Sequence, residues 1–221
     1  MIITKSKKTE EILKSLKGRK SVLIIGCGSC ATSCKTGGEE EVKEISRVLR
    51  ENGVTVVGSI VPQETCHIPL IKRDLRRLGD AVKTADAVLV MACGAGVQAS
   101  ASILDLPTVP GADSLFLGTT HHLGDFSEFC SMCGECVLAE TGGICPVTRC
   151  PKGMMNGPCG GMNRGKCEVD GENDCAFVLI HERMKKQGEE AKLKSYKAPK
   201  DHTKKIRPGR VRVASHAGRK A

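Results

Sequence analysis

The first half of the chain alternates between short apolar runs and longer segments that repeat apolar positions with a helical period. Apolar runs within 20–26, 53–61 and 86–92 predict buried strands, and 106–109 and 114–117 predict two further short strands. Segments 9–16, 39–51, 70–82 and 97–103 predict helices; in the second of these, Val42, Ile45 and Leu49 form one stripe. Continuous apolar strands that alternate with helices predict an α/β fold with a small, doubly wound parallel sheet.

The pattern changes at about residue 120. Glycine and cysteine become frequent, bulky apolar residues become rare, and the last forty residues lose any apolar period. A segment with so little apolar surface does not fold on a hydrophobic core alone, so metal is expected to organise it. We therefore predict an α/β domain over 1–120, a cysteine-rich, metal-organised loop module over 121–182, and a basic flexible tail over 183–221.

The positive charge of the chain belongs to that tail. The whole chain carries a net charge of +9, whereas 183–221 alone contains 14 Lys or Arg and 3 Asp or Glu, a net +11, which leaves −2 for the rest. The tail is interpreted either as a solvated terminus or as a docking arm for an acidic partner surface. With 2% aromatic residues and no Trp, the chain lacks base-stacking side chains, so nucleic acid is an unlikely partner.

Eight of the thirteen cysteines crowd into one stretch. They are Cys130, Cys133, Cys136, Cys145, Cys150, Cys159, Cys167 and Cys175. The first three have the C-x2-C-x2-C spacing that begins the bacterial ferredoxin motif, which favours iron–sulfur ligation, of the [4Fe–4S] type, over zinc. Disulfides are the least favoured choice because the N-terminus lacks the apolar region of an export signal, which predicts a cytoplasmic protein without a membrane span. Spacing does not decide which cysteine is the fourth ligand of each cluster.

The remaining five cysteines follow the predicted strands. Cys27, Cys30 and Cys34 come after the first strand, Cys66 after the second and Cys93 after the third. Carboxyl ends of parallel strands lie on one edge of a sheet, so these thiols are expected to converge on a second metal site, a cluster or zinc. The favoured set is Cys27, Cys30, Cys66 and Cys93, or a set in which Cys34 replaces one of them.

Glycines of the same turn also match a weaker motif. The pattern Gly26-x-Gly28-x-x-Ala31 after a strand resembles a dinucleotide fingerprint, but the second strand offers no acidic residue for a ribose. A nicotinamide site is therefore disfavoured.

Several longer motifs carry a family resemblance. GCGSCATSCKTGG, ACGAGVQ, CPKGMMNGPCGG and GKCEVDGENDCAF, spread over about 21–183, resemble the methylenetetrahydrofolate reductase C-terminal family. The resemblance implies a small cysteine-rich subunit, carrying iron–sulfur and in some cases zinc, that forms a hetero-oligomer with a flavin-containing reductase subunit in acetogenic and related anaerobic bacteria. It would relay electrons from further electron-transfer proteins to that flavin, for reduction of 5,10-methylenetetrahydrofolate to 5-methyltetrahydrofolate in the acetyl-CoA pathway.

The chain itself is expected to be a non-catalytic subunit of this oxidoreductase complex. A flavin-binding (β/α)8 barrel needs about 250 residues, far more than precede the cysteine-rich module. We therefore assign no catalytic residue. Two alternatives stay open: a scaffold that zinc holds without electron transfer, and a methyl-transfer accessory subunit that uses a thiolate–zinc site.

Overall fold

The computed structural model of the chain describes residues 1–211. It divides into two compact units, Met1–Glu128 and a second unit that begins at Phe129. The domain boundaries at 120 and 182 stay predictions, and residues 212–221 of the predicted basic tail lie outside the described residues.

The regular elements are short. The strands are β1 (Ile2–Ser6), β2 (Ser21–Ile25), β3 (Thr55–Ile60), β4 (Ala87–Val90), β5 (Thr108–Pro110), β6 (Ala112–His122) and β7 (Asp125–Cys130). The α-helices are α1 (Thr9–Ser15), α2 (Cys30–Ser33), α3 (Glu39–Glu51), α4 (Ile68–Leu78), α5 (Gly94–Ala101), α6 (Pro146–Arg149) and α7 (Ala176–Gln187). Turns of 3-10 helix cover Gly79–Thr84, Leu138–Glu140, Glu190–Lys194 and His202–Lys205. No helix within residues 1–211 is long and apolar enough to cross a membrane.

A four-stranded parallel sheet forms the centre of the first unit. Its strand order is β3-β2-β4-β5, and Ile25 of β2 pairs with Ile60 of β3 and Val90 of β4. Val22 to Ile25 and Ala87 to Val90 are fully buried, as the unbroken apolar runs predict for strands covered on both faces. The predicted α/β fold with a parallel sheet flanked by helices is confirmed.

Alternate residues of β2 point into two separate cores. Val22 and Ile24 belong to a cluster with Leu49 of α3, whereas Leu23 and Ile25 belong to a second cluster with Ile71 of α4. The sheet is therefore covered by helices on both faces, which leaves its carboxyl edge as the open side of the layer structure.

Two helices begin earlier than the sequence indicates. Helix α4 starts at Ile68 instead of residue 70 and ends at Leu78. The α-helix was expected to continue to residue 82, but Gly79, with φ +56°, starts a 3-10 turn there. Helix α5 starts at Gly94 instead of residue 97. Glycines at the start of α5 have low helix propensity, which hid its first turn from a reading based on periodicity.

A second, antiparallel sheet has the strand order β1-β6-β7. Lys5 of β1 pairs with Asp113 of β6, and the predicted strand at 114–117 is the middle of this 11-residue strand. Strands β1 and β7 were not predicted. They mix polar and apolar residues because much of their surface is exposed, so neither shows an unbroken apolar run.

The second unit consists mainly of turns and short helices. Its longest element, α7, buries Ala176, Ile180 and Met184, which lie on one face at a spacing of four residues. Gly188, with φ +69°, ends this helix in the left-handed conformation that favours glycine. Whether metal organises the surrounding loops stays a prediction.

Candidate functional site

The carboxyl edge of the parallel sheet brings together cysteines that are far apart in sequence. Cys27 lies two residues after β2, Cys66 follows β3, and Cys93 lies three residues after β4. Cys27 and Cys93 are buried, whereas Cys66 is exposed. The three thiols are close enough for charge on one to affect another, because the pKa of Cys66 responds to both Cys93 and Cys27.

Crowding makes a free thiolate unfavourable at this edge. Partial burial raises the pKa of the Cys66 thiol, and thiolates at Cys93 and Cys27 raise it further, against a smaller lowering by its own backbone N–H. A bound cation would reverse this balance, because it attracts the negative charges that otherwise repel one another. The donor set of three soft sulfur atoms fits zinc or an iron–sulfur cluster.

Cys30 and Cys34 lie on the turn that follows β2. Cys30 begins the four-residue helix α2 and Cys34 ends it, with the Cys34 N–H donating to the Cys30 oxygen at 3.0 Å. Both side chains are partly buried. Either cysteine could be the fourth ligand, and the choice between Cys30 and Cys34 stays a prediction.

Close backbone packing explains the glycines of this turn. A Cβ atom at Gly37 would lie 1.8 Å from the Met91 oxygen, and one at Gly26 would lie 2.5 Å from the Gly37 oxygen. The buried Thr65 hydroxyl donates to the Gly26 oxygen and fixes the loop after β3 against the loop after β2. Gly26 therefore has a structural requirement that involves no bound nucleotide.

In the second unit, four thiols line a single cavity of about 20 Å³. They belong to Cys150, Cys159, Cys167 and Cys175. Cys150 follows α6 and Cys175 immediately precedes α7, where the helix dipole favours negative charge.

A small ribbon between residues 163 and 175 holds two of those cysteines. The Cys167 N–H donates to the Asn173 oxygen at 2.9 Å, and the Cys175 N–H donates to the Gly165 oxygen at 2.8 Å. An ion pair of 2.7 Å between Lys166 and Asp174 closes the same ribbon. The backbone thereby brings two thiols eight residues apart to one cavity.

Charged side chains also line this cavity. Lys152 forms an ion pair with Glu168, and the Cys159 sulfur lies 3.1 Å from a Glu168 carboxylate oxygen. The Glu168 carboxylate raises the pKa of Lys152, and thiolates at Cys159 and Cys167 add to that effect. The positive charge at this cavity is therefore paired with the Glu168 carboxylate.

The C-x2-C-x2-C segment forms a tight loop directly after β7. Met132, with φ +54°, and Gly134, with φ +80°, turn the backbone, and the Met132 N–H donates to the Cys130 sulfur at 3.3 Å. A backbone hydrogen bond at Glu135 lowers the pKa of the Cys133 thiol, partial burial raises it by less, and the Lys200 ammonium lowers it further. Hydrogen bonds to sulfur and a nearby cation are what an anionic thiolate ligand requires.

The loop also contains a buried polar atom that the rest of residues 1–211 leaves unsatisfied. The Ser131 hydroxyl has no well-formed hydrogen bond, although it lies near enough to Cys133 to lower the pKa of that thiol slightly. A buried hydroxyl without an acceptor costs free energy, so a sulfur-rich anion at this loop would satisfy it. By chemical type the residues of this loop therefore suit a thiolate-bound cluster, although the described structure does not hold them in a metal-binding arrangement.

Cys136 and Cys145 lie at separate surfaces of the second unit. Cys136 is exposed beside Val137 and Tyr196, and Cys145 immediately precedes α6 and lines a cavity of about 500 Å³ with Arg149 and Arg183. Within residues 1–211, no group of three or more Cys, His, Asp or Glu side chains has the geometry to hold a metal ion.

Sequence reasoning missed the side chains that surround the sulfur atoms of the C-x2-C-x2-C loop. Lys200, Lys204 and Ser131 carry no motif, and the basic composition of the tail gave no sign of which lysine reaches the loop. The roles of the two lysines follow from contacts with Glu135, which lies 65 and 69 residues before them.

The fold and the thiols define an α/β protein with cysteine clusters at a sheet edge and in a glycine-rich second unit. Residues 109–203 match the family described as "Methylene-tetrahydrofolate reductase C terminal". The resemblance seen in the motifs is confirmed, and its extension to residues before 109 rests on the motifs alone. Neither curated proteins nor solved structures gave a significant match.

Proposed function

We propose that the chain is the iron–sulfur electron-transfer subunit of a methylenetetrahydrofolate reductase complex. It would pass electrons to the flavin of a partner reductase subunit, which reduces 5,10-methylenetetrahydrofolate to 5-methyltetrahydrofolate. The match of residues 109–203 to the reductase C-terminal family supports association with a reductase. The observation that carries the redox role is the set of four thiols on one cavity, because cubane iron–sulfur clusters are held by four cysteine thiolates.

We propose that the eight cysteines of the second unit form two ligand sets. Cys150, Cys159, Cys167 and Cys175, which line one cavity, would form the first. Cys130, Cys133 and Cys136 of the C-x2-C-x2-C loop would belong to the second. Its fourth ligand stays unassigned, because Cys145 lines a different cavity from Cys136.

A bound cluster would supply one-electron redox chemistry, and the chain's residues would set how readily it accepts an electron. The Met132 N–H bonded to the Cys130 sulfur stabilises negative charge at that ligand. This hydrogen bond would favour the reduced, more negative form of a cluster at the loop.

The sheet-edge cysteines are proposed as a further metal site in the first unit. Cys27, Cys66 and Cys93 would supply three thiolates, and Cys30 or Cys34 the fourth. Zinc and an iron–sulfur cluster are both compatible with four thiolates. We propose a structural role for metal here, because the ligands come from loops after three neighbouring strands and would fasten them together.

Anaerobic purification of the whole chain, with iron and zinc analysis and electron paramagnetic resonance after reduction, tests this function. The wild-type chain should contain iron and give a cluster signal. Cys159→Ala should lose about half of the second unit's iron, since one of two clusters loses a ligand. The control is Met162→Leu, because Met162 lines the same cavity but supplies no ligand. This variant should keep all of its iron.

The alternatives predict different outcomes of the same experiment. A folded chain that holds zinc but no iron would contradict the electron-transfer function and support the scaffold hypothesis. Methyl transfer without the flavin subunit, together with zinc at the sheet-edge cysteines, would support the accessory-subunit hypothesis. Full iron content in Cys159→Ala would contradict the assignment of the four-thiol cavity.

A further inference from the structure

The segment after α7 returns to the C-x2-C-x2-C loop and binds its backbone and side chains. We call residues 200–205 the lysine strap and residues 130–136 the cysteine loop. The Lys204 ammonium donates to a Glu135 carboxylate oxygen at 2.6 Å, and the Asp201 N–H donates to the other at 3.1 Å. Lys200 donates to the Glu135 backbone oxygen, and Lys205 donates to the Ser131 oxygen at 3.0 Å.

The two backbones also approach each other closely. A Cβ atom at Gly134 would lie 3.0 Å from the Lys204 oxygen, and Gly134 has a φ of +80°. The strap is itself ordered by Asp201, whose carboxylate accepts from the Thr203 N–H at 2.9 Å and from its hydroxyl at 2.6 Å. A preformed turn therefore presents its lysines to the cysteine loop.

The charges of the two segments are complementary once the loop binds metal. Three thiolates within seven residues, together with the Glu135 carboxylate, concentrate negative charge on the loop. The Glu135 backbone oxygen that accepts from the Lys200 ammonium also accepts from the Cys133 thiol at 3.3 Å, so the ammonium lies beside this sulfur. Because a lysine ammonium is a compact charge with three donors, it can bind a backbone oxygen and still stabilise a neighbouring sulfur atom.

We propose that the lysine strap is a part of the metal site at the cysteine loop, with Lys200 as the positioning residue that holds the loop closed and neutralises its thiolates. This inference rests on the proposed iron–sulfur function. Lys204 and Lys205 fasten the C-terminal end of the strap to Glu135 and Ser131, and Lys200 brings its positive charge to the Glu135 oxygen beside Cys133. The strap thereby raises the reduction potential of the bound cluster and slows its loss.

The test compares Lys200→Ala with Lys194→Ala in the full chain. Lys194 is exposed and lies in the same basic region, so the control removes the same charge away from the loop. Lys200→Ala should shift the potential of the loop cluster to a more negative value in a redox titration followed by electron paramagnetic resonance. It should also release iron faster to a chelator. Lys200→Arg should restore both properties in large part.

A measurement on the metal-free chain tests this inference independently of the proposed function. In the metal-free chain, amide hydrogen exchange at residues 131–136 should become about tenfold faster in Lys200→Ala, because a hydrogen bond to a charged group is lost. Lys194→Ala should leave that exchange at the wild-type rate. A wild-type chain without iron would overturn the proposed function, while this exchange experiment would still decide whether the strap closes the loop.

Two results would overturn the strap proposal itself. The first is an iron-loaded Lys200→Ala chain whose potential and iron release match the wild type. The second is loop exchange in the metal-free chain that is the same in Lys200→Ala and Lys194→Ala. If Lys200→Ala does not fold, Lys204→Ala is measured in its place, since it removes a different contact of the same strap.

Discussion

Two thiols of this chain show how local surroundings set the chemistry of the same residue type in opposite directions. Cys66 lies beside other thiols, and both the partial loss of water around its sulfur and the negative charges of those thiols raise its pKa. Cys133 is surrounded by donors and by Lys200, and its pKa is lowered. The surroundings of Cys66 therefore oppose its thiolate form unless a cation binds. The surroundings of Cys133 promote the thiolate form even without a cation.

This contrast predicts an order of reaction for the metal-free chain. Because the thiolate is the nucleophile, a lowered pKa means that Cys133 reacts with iodoacetamide at lower pH than Cys66 does. Alkylation of each residue, measured by mass spectrometry from about pH 6 to about pH 10, should show the Cys133 midpoint below the Cys66 midpoint. Equal midpoints, or the reverse order, would contradict the environments described for the two thiols.

At the scale of elements, the loops after β2, β3 and β4 depend on each other through backbone contacts. Gly37 packs on the Met91 oxygen just beyond β4, and the Thr65 hydroxyl binds the Gly26 oxygen just beyond β2. The loops that carry Cys27, Cys66 and Cys93 are thus fastened by contacts of their own. Metal would add to an edge that packing already defines.

Gly37→Ala should destabilise the first unit. The added Cβ would lie 1.8 Å from the Met91 oxygen, so the backbone must move, at a cost of about 3 kcal/mol in the free energy of unfolding. The matched control is Gly94→Ala, whose Cβ would meet Ser114 at 3.7 Å and should change stability by less than about 0.5 kcal/mol.

Urea unfolding followed by far-ultraviolet circular dichroism measures both variants. Equal urea midpoints for Gly37→Ala and the wild type would show that the close contact between residue 37 and the Met91 oxygen can relax without loss of stability. A large loss of stability in Gly94→Ala would show that the sheet edge tolerates no added methyl group. The effect of Gly37→Ala could then not be attributed to its contact with Met91.

At the scale of the whole molecule, the two units differ in what can stabilise them. The first has two apolar cores on either side of a parallel sheet. From Phe129 to the end of the described residues, the buried apolar side chains are Pro146, Ala176, Ile180 and Met184. So small an apolar core does not stabilise a unit of this size without another source of free energy.

Removal of metal should therefore affect the two units unequally. After treatment with a chelator, amides of β2 and β4 should keep their protection from hydrogen exchange, because their core is complete without metal. Amides of the 163–175 ribbon should exchange much faster, because ligand binding is coupled to folding there. Unchanged exchange in the ribbon would mean that its own hydrogen bonds hold the second unit, and loss of protection in β2 would extend the dependence on metal to both units.

The sequence by itself determined the features that depend on neighbouring residues. Unbroken apolar runs predicted the buried strands β2 and β4, the helical stripe predicted α3 at its observed bounds, and cysteines placed after strands predicted where Cys27, Cys66 and Cys93 lie. The C-x2-C-x2-C spacing and the glycine-rich motifs indicated the family that residues 109–203 then matched. These signals are local because strand and helix periods, and short ligand spacings, repeat within a few residues.

Only the tertiary structure decided which distant groups meet. It placed Cys150, Cys159, Cys167 and Cys175 on one cavity, although their spacing alone allowed several pairings. It also brought Lys200 to the cysteine loop, across 65 positions of the chain. Such contacts depend on how turns direct the backbone, and a lysine that reaches sulfur has the same local sequence signature as one that faces solvent.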